Sequence, residues 1–415
     1  MIGLLMRDFH HPDGLPLEGL RVLDFSQFLA GPSCALRLAD LGADVIKVER
    51  PDGGDLCRGL VLADQTFEGD SALFHTINRR KRSFAADLKA PEDLARVERL
   101  IERADVMIHN FRPGVMERIG LDAARAMALN PRLVYAAVSG YGDKGPWRDK
   151  PGQDLLVQSL SGLAWLTGDA HADGNGPPVP AGVSVIDVIT GAHLVQGILA
   201  ALLRRGVTGR GARVDVSLLE SALDLQFEPF TAFLNGDGTQ PARTAENHAS
   251  VHGAAPYGIY RTRDGFLAIA MTPMDRLAEL IGSQELAALA ADRGGWFRQR
   301  DALKAQLQRD LLAQDGAHWL AILEPAGVWC ADVLRWPQLA AHPAFAALGM
   351  TQTVRSAGGA TMRTTRCPIR IDGRRLTSER GAPRLGADTD DIARELGLDP
   401  FLPDPGPASA PTSPP

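Results

Sequence analysis

Asp187 is the only Asp, Glu, Lys or Arg between Asp173 and Arg204, in the stretch VPAGVSVIDVITGAHLVQGILAALLRR. It stands at the start of an apolar run with helical spacing, 188–203. A carboxylate there can cap the helix by accepting the N–H of Ile189 or Thr190. The helix terminus also favours the ionised form, which a covalent carboxylate nucleophile requires. The two roles are compatible, and the residues alone leave both open. Gln153-Asp154 follows a Pro-Gly turn and opens another helix, so Asp154 is a second N-cap candidate. His193, in the middle of the 188–203 helix, is expected in a core or interface rather than as a base.

The densest positive run is Asn78-Arg79-Arg80-Lys81-Arg82. Such a run is a solvated face or, with Arg50 and with Arg112 or Arg118, a clamp for phosphates, which Arg holds through paired N–H donors. Upstream, DFSQFLAGPSCALRLADLGADVIKVER is a β–turn–helix–β unit with Gly31 in the turn and Glu49 about 18 positions on. In a dinucleotide fold that acid would take the ribose of NAD. The turn lacks G-x-G-x-x-G, however, and Pro32 removes an N–H that a pyrophosphate could use. An ordinary βαβ unit, an adenosine site and an NAD site all remain open on these residues. No G-x-S-x-G, H-E-x-x-H or G-x-x-x-x-G-K-[ST] motif occurs.

The elements that must position these residues alternate in the first half. Strands are predicted over 21–25, 44–48, 106–110 and 133–139, and helices over 32–41, 91–104, 154–166 and 188–203. Alternation at this spacing implies a parallel sheet covered by helices. After about residue 225 the texture changes to short Ala- and Leu-rich helices with a strand at 265–271. Strand character returns at 328–333 and 350–371, and a last short helix falls at 389–398. Phe401–Pro415 is rich in Pro and Ser and is expected to be disordered. The chain of 415 residues exceeds one ordinary domain. Its net charge of −6 argues against a general nucleic-acid or anionic-membrane binder, so any anion site must be a local basic cluster. Cys34, Cys57, Cys330 and Cys367 show no Cys-x-x-Cys or zinc spacing and read as reduced cytosolic thiols. The apolar run Met1–Met6 is too short for a signal sequence, so a cytoplasmic protein is expected.

Several segments together resemble the family III CoA-transferases, the group of formyl-CoA transferase, carnitine CoA-transferase and α-methylacyl-CoA racemase. They are LEGLRVLDFSQFLAGP (17–32), LGADVIKVERPDGGD (41–55), NRRKRS (78–83), ADVMIHNFRPGVMERIGL (104–121), NPRLVYAAVSGYG (130–142), QDLLVQSLSGL (153–163), DVITGAHLVQGILAALLRRGVTGRGARVDVSLLE (187–220) and APRLGADTDDIARELGL (382–398). The resemblance implies an α/β fold: a Rossmann-like large domain built from both chain ends, a smaller α+β domain, and an interlocked homodimer. The expected boundaries are 1–225 and 336–400 for the large domain, 226–335 for the small one, and 401–415 for the tail. It also implies a CoA-transferase with Asp187 as catalytic residue. The CoA-binding set is then Arg50, Arg80, Lys81 and Arg118, with Phe28, Leu29 and Gly31 of the turn. CoA or acyl-CoA is then a substrate, and neither NAD nor a metal is called for. A dicarboxylyl-CoA such as succinyl-CoA is the expected donor and a free carboxylic acid the acceptor, by way of an aspartyl anhydride and an aspartyl-CoA thioester. Backbone N–H groups near Gly31 or Gly140 are candidates for stabilising the oxyanions. Gln153 stands where the racemase branch has a His, which argues for transfer over racemisation. Leu29 stands where the formyl-CoA branch has a Gln, which argues against formyl-CoA:oxalate exchange. The competing readings are an acyl-CoA racemase or epimerase of the same fold, a non-enzymatic CoA-binding homologue, and an NAD-dependent oxidoreductase.

Overall fold

The computed structural model describes residues 14–398; the expected tail and the Met1–Met6 run lie outside them. The chain divides into two compact units. Among the described residues one unit runs to Asp154, resumes over Val185–Ser221 and again from Leu348. The other comprises Leu155–Ser184 and Ala222–Ala347.

The first unit is built on six parallel strands: β1 (Arg21–Asp24), β2 (Asp44–Glu49), β5 (Arg82–Ala85), β6 (Val106–His109), β7 (Val134–Ser139) and β8 (Ala212–Ser217). A small ribbon, β3 (Thr66–Phe67) and β4 (Asp70–Ser71), lies between β2 and β5 in the chain. The sheet order is β5-β2-β1-β6-β7-β8. The order runs outward in both directions from β1, the pattern of a doubly wound sheet, whose ligands sit beyond the carboxyl ends of the strands where the order reverses. Val22 and Leu23 are both buried, as a strand covered on both faces requires.

The helices of this unit follow ordinary start signals. Helix α1 (Ala30–Asp40) follows β1, and α2 (Ala72–Asn78) starts where the Ser71 hydroxyl accepts the Phe74 N–H. Helix α3 (Pro91–Glu102) has Pro at its start and Glu92 and Asp93 in its first turn; it buries Val97, Leu100 and Ile101. Short helices α4 (Val115–Ile119) and α5 (Ala123–Leu129) precede β7. A last helix (Thr389–Glu395) returns to this unit, and its Ile392 and Ala393 join the core of Leu23, Ile46, Phe84 and Met107. It is tied to the edge strand: Asp388 Oδ2 accepts the Ser83 N–H at 2.8 Å, and Thr389 Oγ1 the Ala85 N–H at 2.9 Å.

Helix α8 (Val185–Thr208) is long and apolar enough to span a membrane by length and composition. Here it buries Thr190, Gly191, Leu194, Ile198, Ala201 and Arg205 within the first unit, against α1, β7 and β8. Gly191 permits the closest approach, since a Cβ there would lie 2.9 Å from the Ala30 carbonyl oxygen and 3.4 Å from the Cys34 nitrogen. The predicted helix over 154–166 is two helices, α6 (Asp154–Leu160) and α7 (Leu163–Leu166), broken at Gly162 with φ of +84°.

In the second unit, β9 (Gly258–Arg261), β10 (Phe266–Ile269) and β11 (Cys330–Asp332) form an antiparallel sheet. Its core is Tyr260, Leu267 and Ile269 with Leu277, Leu286, Leu303, Leu307 and Trp319 from the helices that follow. The residues from Met350 onward form a hairpin, β12 (Thr351–Arg355) with β13 (Thr361–Thr365), in the first unit.

Candidate active site

The turn after β1 is built by side chains arriving from other strands. Ser26 donates its backbone N–H to Asp24 Oδ1 at 3.0 Å, and Lys47 Nζ donates to the Ser26 carbonyl at 2.7 Å. Asn110, just past β6, pairs with the Gln27 backbone in both directions, at 2.8 and 2.7 Å. The Phe28 N–H donates to Asp55 Oδ1 at 3.3 Å. These bonds hold Phe28 at φ of +63°, a conformation unusual for a bulky residue, with the residue 45% exposed. Gly31 is required by closeness, because a Cβ there would meet Ser26 Cβ at 2.3 Å. In the first turn of α1 the Gly31 N–H is one of the helix-terminal donors without an intrahelical acceptor. Leu29 packs beside a small apolar cluster of Cys57, Phe74, Ile77 and Ala382.

Beneath this turn lies a buried charge network. Lys81 Nζ donates to Asp24 Oδ2 at 2.7 Å, Asn78 Oδ1 at 2.8 Å and the Pro32 carbonyl at 3.1 Å. Its three donors are therefore used, and the residue is fully buried. The phosphate contact expected of Lys81 has no donor left in this arrangement; the lysine instead ties α2, β1 and the start of α1 together. Arg79, expected in the same run, is buried on Asp40, 2.9 and 2.8 Å from its two oxygens. Arg80 stands partly exposed, without an ion-pair partner among the described residues.

Glu49, the acid that a dinucleotide fold would offer to a ribose, is turned inward. Its oxygens accept from Arg58 Nε at 2.8 Å and Nη2 at 2.7 Å, from Ser83 Oγ at 2.8 Å and from the Asp55 N–H at 3.0 Å. Burial works to raise its carboxyl, but Arg58 and Lys47 outweigh it and hold the group below the ordinary value.

A cavity of 510 Å³ opens at the carboxyl ends of β1, β2 and β5, beside β6. Of the predicted binding set, only Arg50 lines it. The exposed Lys89 lines it too, on the turn after β5, a cation that sequence reasoning passed over. Its signal was topological: in a parallel sheet the residue just past a strand's carboxyl end faces the ligand side. Arg50 donates Nε to the Gly54 carbonyl at 3.0 Å. Arg118, on α4, is exposed and has no ion-pair partner among the described residues; its neighbour Ile119 lines the cavity. Phe28, Leu29, Gly31 and Arg80 are not among the lining residues.

The surroundings of Asp187 differ from the expected cap. Helix α8 begins at Val185, so Asp187 lies inside its first turn. The cap comes from Asp154, whose Oδ2 accepts the N–H groups of Ile186 at 2.8 Å and of Asp187 itself at 3.0 Å. No described residue gives the half-buried Asp187 carboxylate a hydrogen bond. Burial, and after it the negative charge of Asp154, raise its carboxyl from 3.8 to about 7. Both effects work against the helix dipole, which favours the ionised form. His193 lies further along α8, its Nδ1 3.0 Å from Ser221 Oγ.

Thus the first unit is an α/β structure with a crevice, lined in part by Arg50 and Lys89, at the switch point of a parallel sheet and an acid of raised pKa near the start of its longest helix. The model described as CoA-transferase family III matches residues 17–389, and the chain belongs to that family. It is an enzyme of the CoA-transferase type, whose substrates are CoA thioesters. A succinate–glutarate CoA-transferase of Agrobacterium fabrum is 34% identical over 391 residues, 92% of this chain and 96% of its own length. An acetyl-CoA:oxalate CoA-transferase of Acetobacter aceti is 35% identical over 379 residues, 89% of this chain and 93% of its own. The crystal structure of a CAIB/BAIF family protein from Brucella suis matches with a TM-score of 0.78 at 31% identity, covering 92% of this chain and 100% of that one.

Proposed function

We propose that this enzyme moves CoA from a dicarboxylyl-CoA such as succinyl-CoA to a free carboxylic acid through covalent intermediates on Asp187. One observation carries the reading: the Asp187 carboxylate is half-buried, bound by no side-chain or backbone donor among the described residues, and raised to about 7. Such a group is basic enough to be a good nucleophile and is ionised in a large fraction at neutral pH.

An Asp187 oxygen attacks the thioester carbonyl, the C–S bond breaks, and CoA leaves as thiolate with the electron pair. The thiolate then attacks the aspartyl carbonyl of the anhydride and releases the donor acid as its carboxylate. The acceptor carboxylate attacks the aspartyl-CoA thioester and expels the thiolate again. A final attack on the acceptor acyl carbon gives the new acyl-CoA and restores Asp187. Every intermediate is an activated acyl group, so no nucleotide is consumed.

Arg50 and Lys89 in the crevice, with Arg118 beside it, supply cations for the CoA phosphates. The dicarboxylyl-CoA donor rests on the Agrobacterium relative, whose name contains succinate and glutarate, both dicarboxylic acids; the name of the Acetobacter relative pairs acetyl-CoA with the dicarboxylate oxalate. We further propose that two chains interlock as a homodimer in the cytoplasm. Phe227 at 69%, Met271 at 72% and Trp336 at 84% exposure are large apolar surfaces that a partner would cover. The four free cysteines suit a reducing compartment.

The test incubates the protein with succinyl-CoA and a panel of carboxylic acids. New acyl-CoA species and a CoA adduct on the peptide bearing Asp187, both lost in Asp187→Ala, are the expected result. Substantial turnover by Asp187→Ala would overturn the assignment. Exchange of the α-proton in D₂O without transfer would replace it with racemisation.

A further inference from the structure

The mechanism above uses Asp187 but gives no task to the second acid bound to the same turn of backbone. Asp154 is buried, and one of its oxygens accepts the N–H groups of both Ile186 and Asp187. A helix cap needs only an acceptor, and Ser, Thr or Asn serves as well as Asp. An Asp in this position also brings a negative charge to the nucleophile.

Asp154 is itself fixed by a glycine contact. Gly140, just past β7, and Gly152 meet backbone to backbone: a Cβ built on Gly152 would lie 2.5 Å from Gly140 Cα, and one built on Gly140 2.8 Å from Gly152 Cα. The Gly140 carbonyl also accepts the Leu219 N–H at 3.1 Å. The segment entering Asp154 is thereby held to the end of β7, and the Asp154 carboxylate to the start of α8.

The charged groups on the elements packed against α8 are engaged elsewhere. On α1, Arg37 pairs with Asp40 at 2.8 Å. On β8, Arg213 pairs with Asp215 at 2.8 Å. β7 offers only Tyr135, whose hydroxyl donates to the Leu121 carbonyl at 3.2 Å. On α8 itself, Arg205 pairs with Asp105 at 2.8 Å, and Arg204 lies near the far end. Among the described residues, Asp154 is the charged group that, after burial, raises the Asp187 carboxyl.

We propose that Asp154 is a positioning residue that both orients Asp187 and, through like-charge repulsion, favours its covalent over its free carboxylate form. The inference rests on Asp187 being the nucleophile. When Asp187 is acylated its negative charge departs on the CoA thiolate, and the repulsion from Asp154 departs with it. The free carboxylate is destabilised relative to the anhydride and the thioester, so the adduct becomes more populated and the nucleophile more basic.

Asp154→Asn keeps an oxygen for the two N–H groups and removes the charge. Asp154→Ser, also neutral and an acceptor, is the second variant should Asn disturb the fold. Two quantities are measured for each and for the wild type: the pH profile of kcat/KM, and the fraction of protein carrying the CoA adduct on Asp187 at fixed succinyl-CoA and CoA, by intact mass spectrometry. The neutral variants should retain the wild-type melting temperature within a few degrees, move the acid limb down by about one pH unit and lower adduct occupancy about tenfold. An adduct on Asp187 in the wild type, with limb and occupancy unchanged in the variants, overturns the role of Asp154 alone. Loss of melting temperature and kcat without movement of the limb reduces it to a structural cap and overturns it as well. No adduct on Asp187 in the wild type overturns the proposed function and this inference together.

Discussion

Lys81 and Asp24 form a fully buried ion pair, Nζ to Oδ2 at 2.7 Å, with both side chains 0% exposed. Burial alone would raise the Asp24 carboxyl, but Lys81 and, at 3.9 Å, Lys47 reverse that and hold it below the ordinary value. Removing Lys81 would leave Asp24 short of a partner in the interior, which costs on the order of 3–5 kcal/mol. Lys81→Met is therefore expected to lower the denaturation midpoint sharply. The folded fraction should keep its KM for acyl-CoA within about twofold, since no Lys81 donor is free for a ligand. A large rise in KM with unchanged stability, read by denaturant titration alongside kinetics, would return Lys81 to the phosphate clamp.

The crevice cations should behave in the opposite way. Arg50 and Lys89 line the cavity without contributing to the core. Charge-assisted contacts to phosphate are worth about 1.5–3 kcal/mol each. Arg50→Ala should raise the KM for acyl-CoA roughly tenfold, Lys89→Ala and Arg118→Ala several-fold, with kcat and melting temperature nearly unchanged. The differences should shrink at high salt, as screening reduces what the cations contribute. Titration of CoA affinity against ionic strength for the three variants checks this, and salt-independent losses would point to displaced backbone instead.

The parallel sheet was legible because its strands read as short apolar runs such as VMIH and VYAAV, the pattern of strands buried on both faces. The break between α6 and α7 was not, since one Gly in an apolar stretch fits a continuous helix as well as a left-handed stop. The positive run at 78–82 could be singled out but not interpreted. Arg79 and Lys81 find their acids 39 and 57 positions away, at Asp40 and Asp24, and local spacing holds no record of such pairings. Asp187 stood out by its isolation in the sequence. The upward shift of its carboxyl did not, because burial in the fold causes it first, and the acid that adds to it, Asp154, lies 33 positions upstream.

Asp187 also links catalysis and stability to pH in opposite senses. Its carboxyl is raised from 3.8 to about 7, first by burial and then by Asp154. Attack requires the carboxylate, so kcat/KM should climb tenfold per pH unit below about 7 and level off above it. For folding, the native state holds a proton between about pH 4 and 7 that the unfolded chain has already released. Stability therefore falls as pH rises through that window, and above about 7 the full cost of the buried charge is present. Asp187→Asn, inactive in exchange, should be the more stable protein at pH 8 by on the order of 2 kcal/mol, allowing for partial exposure. The advantage should fade as the pH approaches 4, where the wild-type acid is neutral in both states. Denaturant titrations of the two proteins at about pH 5, 6, 7 and 8 measure the difference. A gap that stays constant with pH would mean that Asp187 titrates near its ordinary value and that the free enzyme meets its substrate with the carboxylate already ionised.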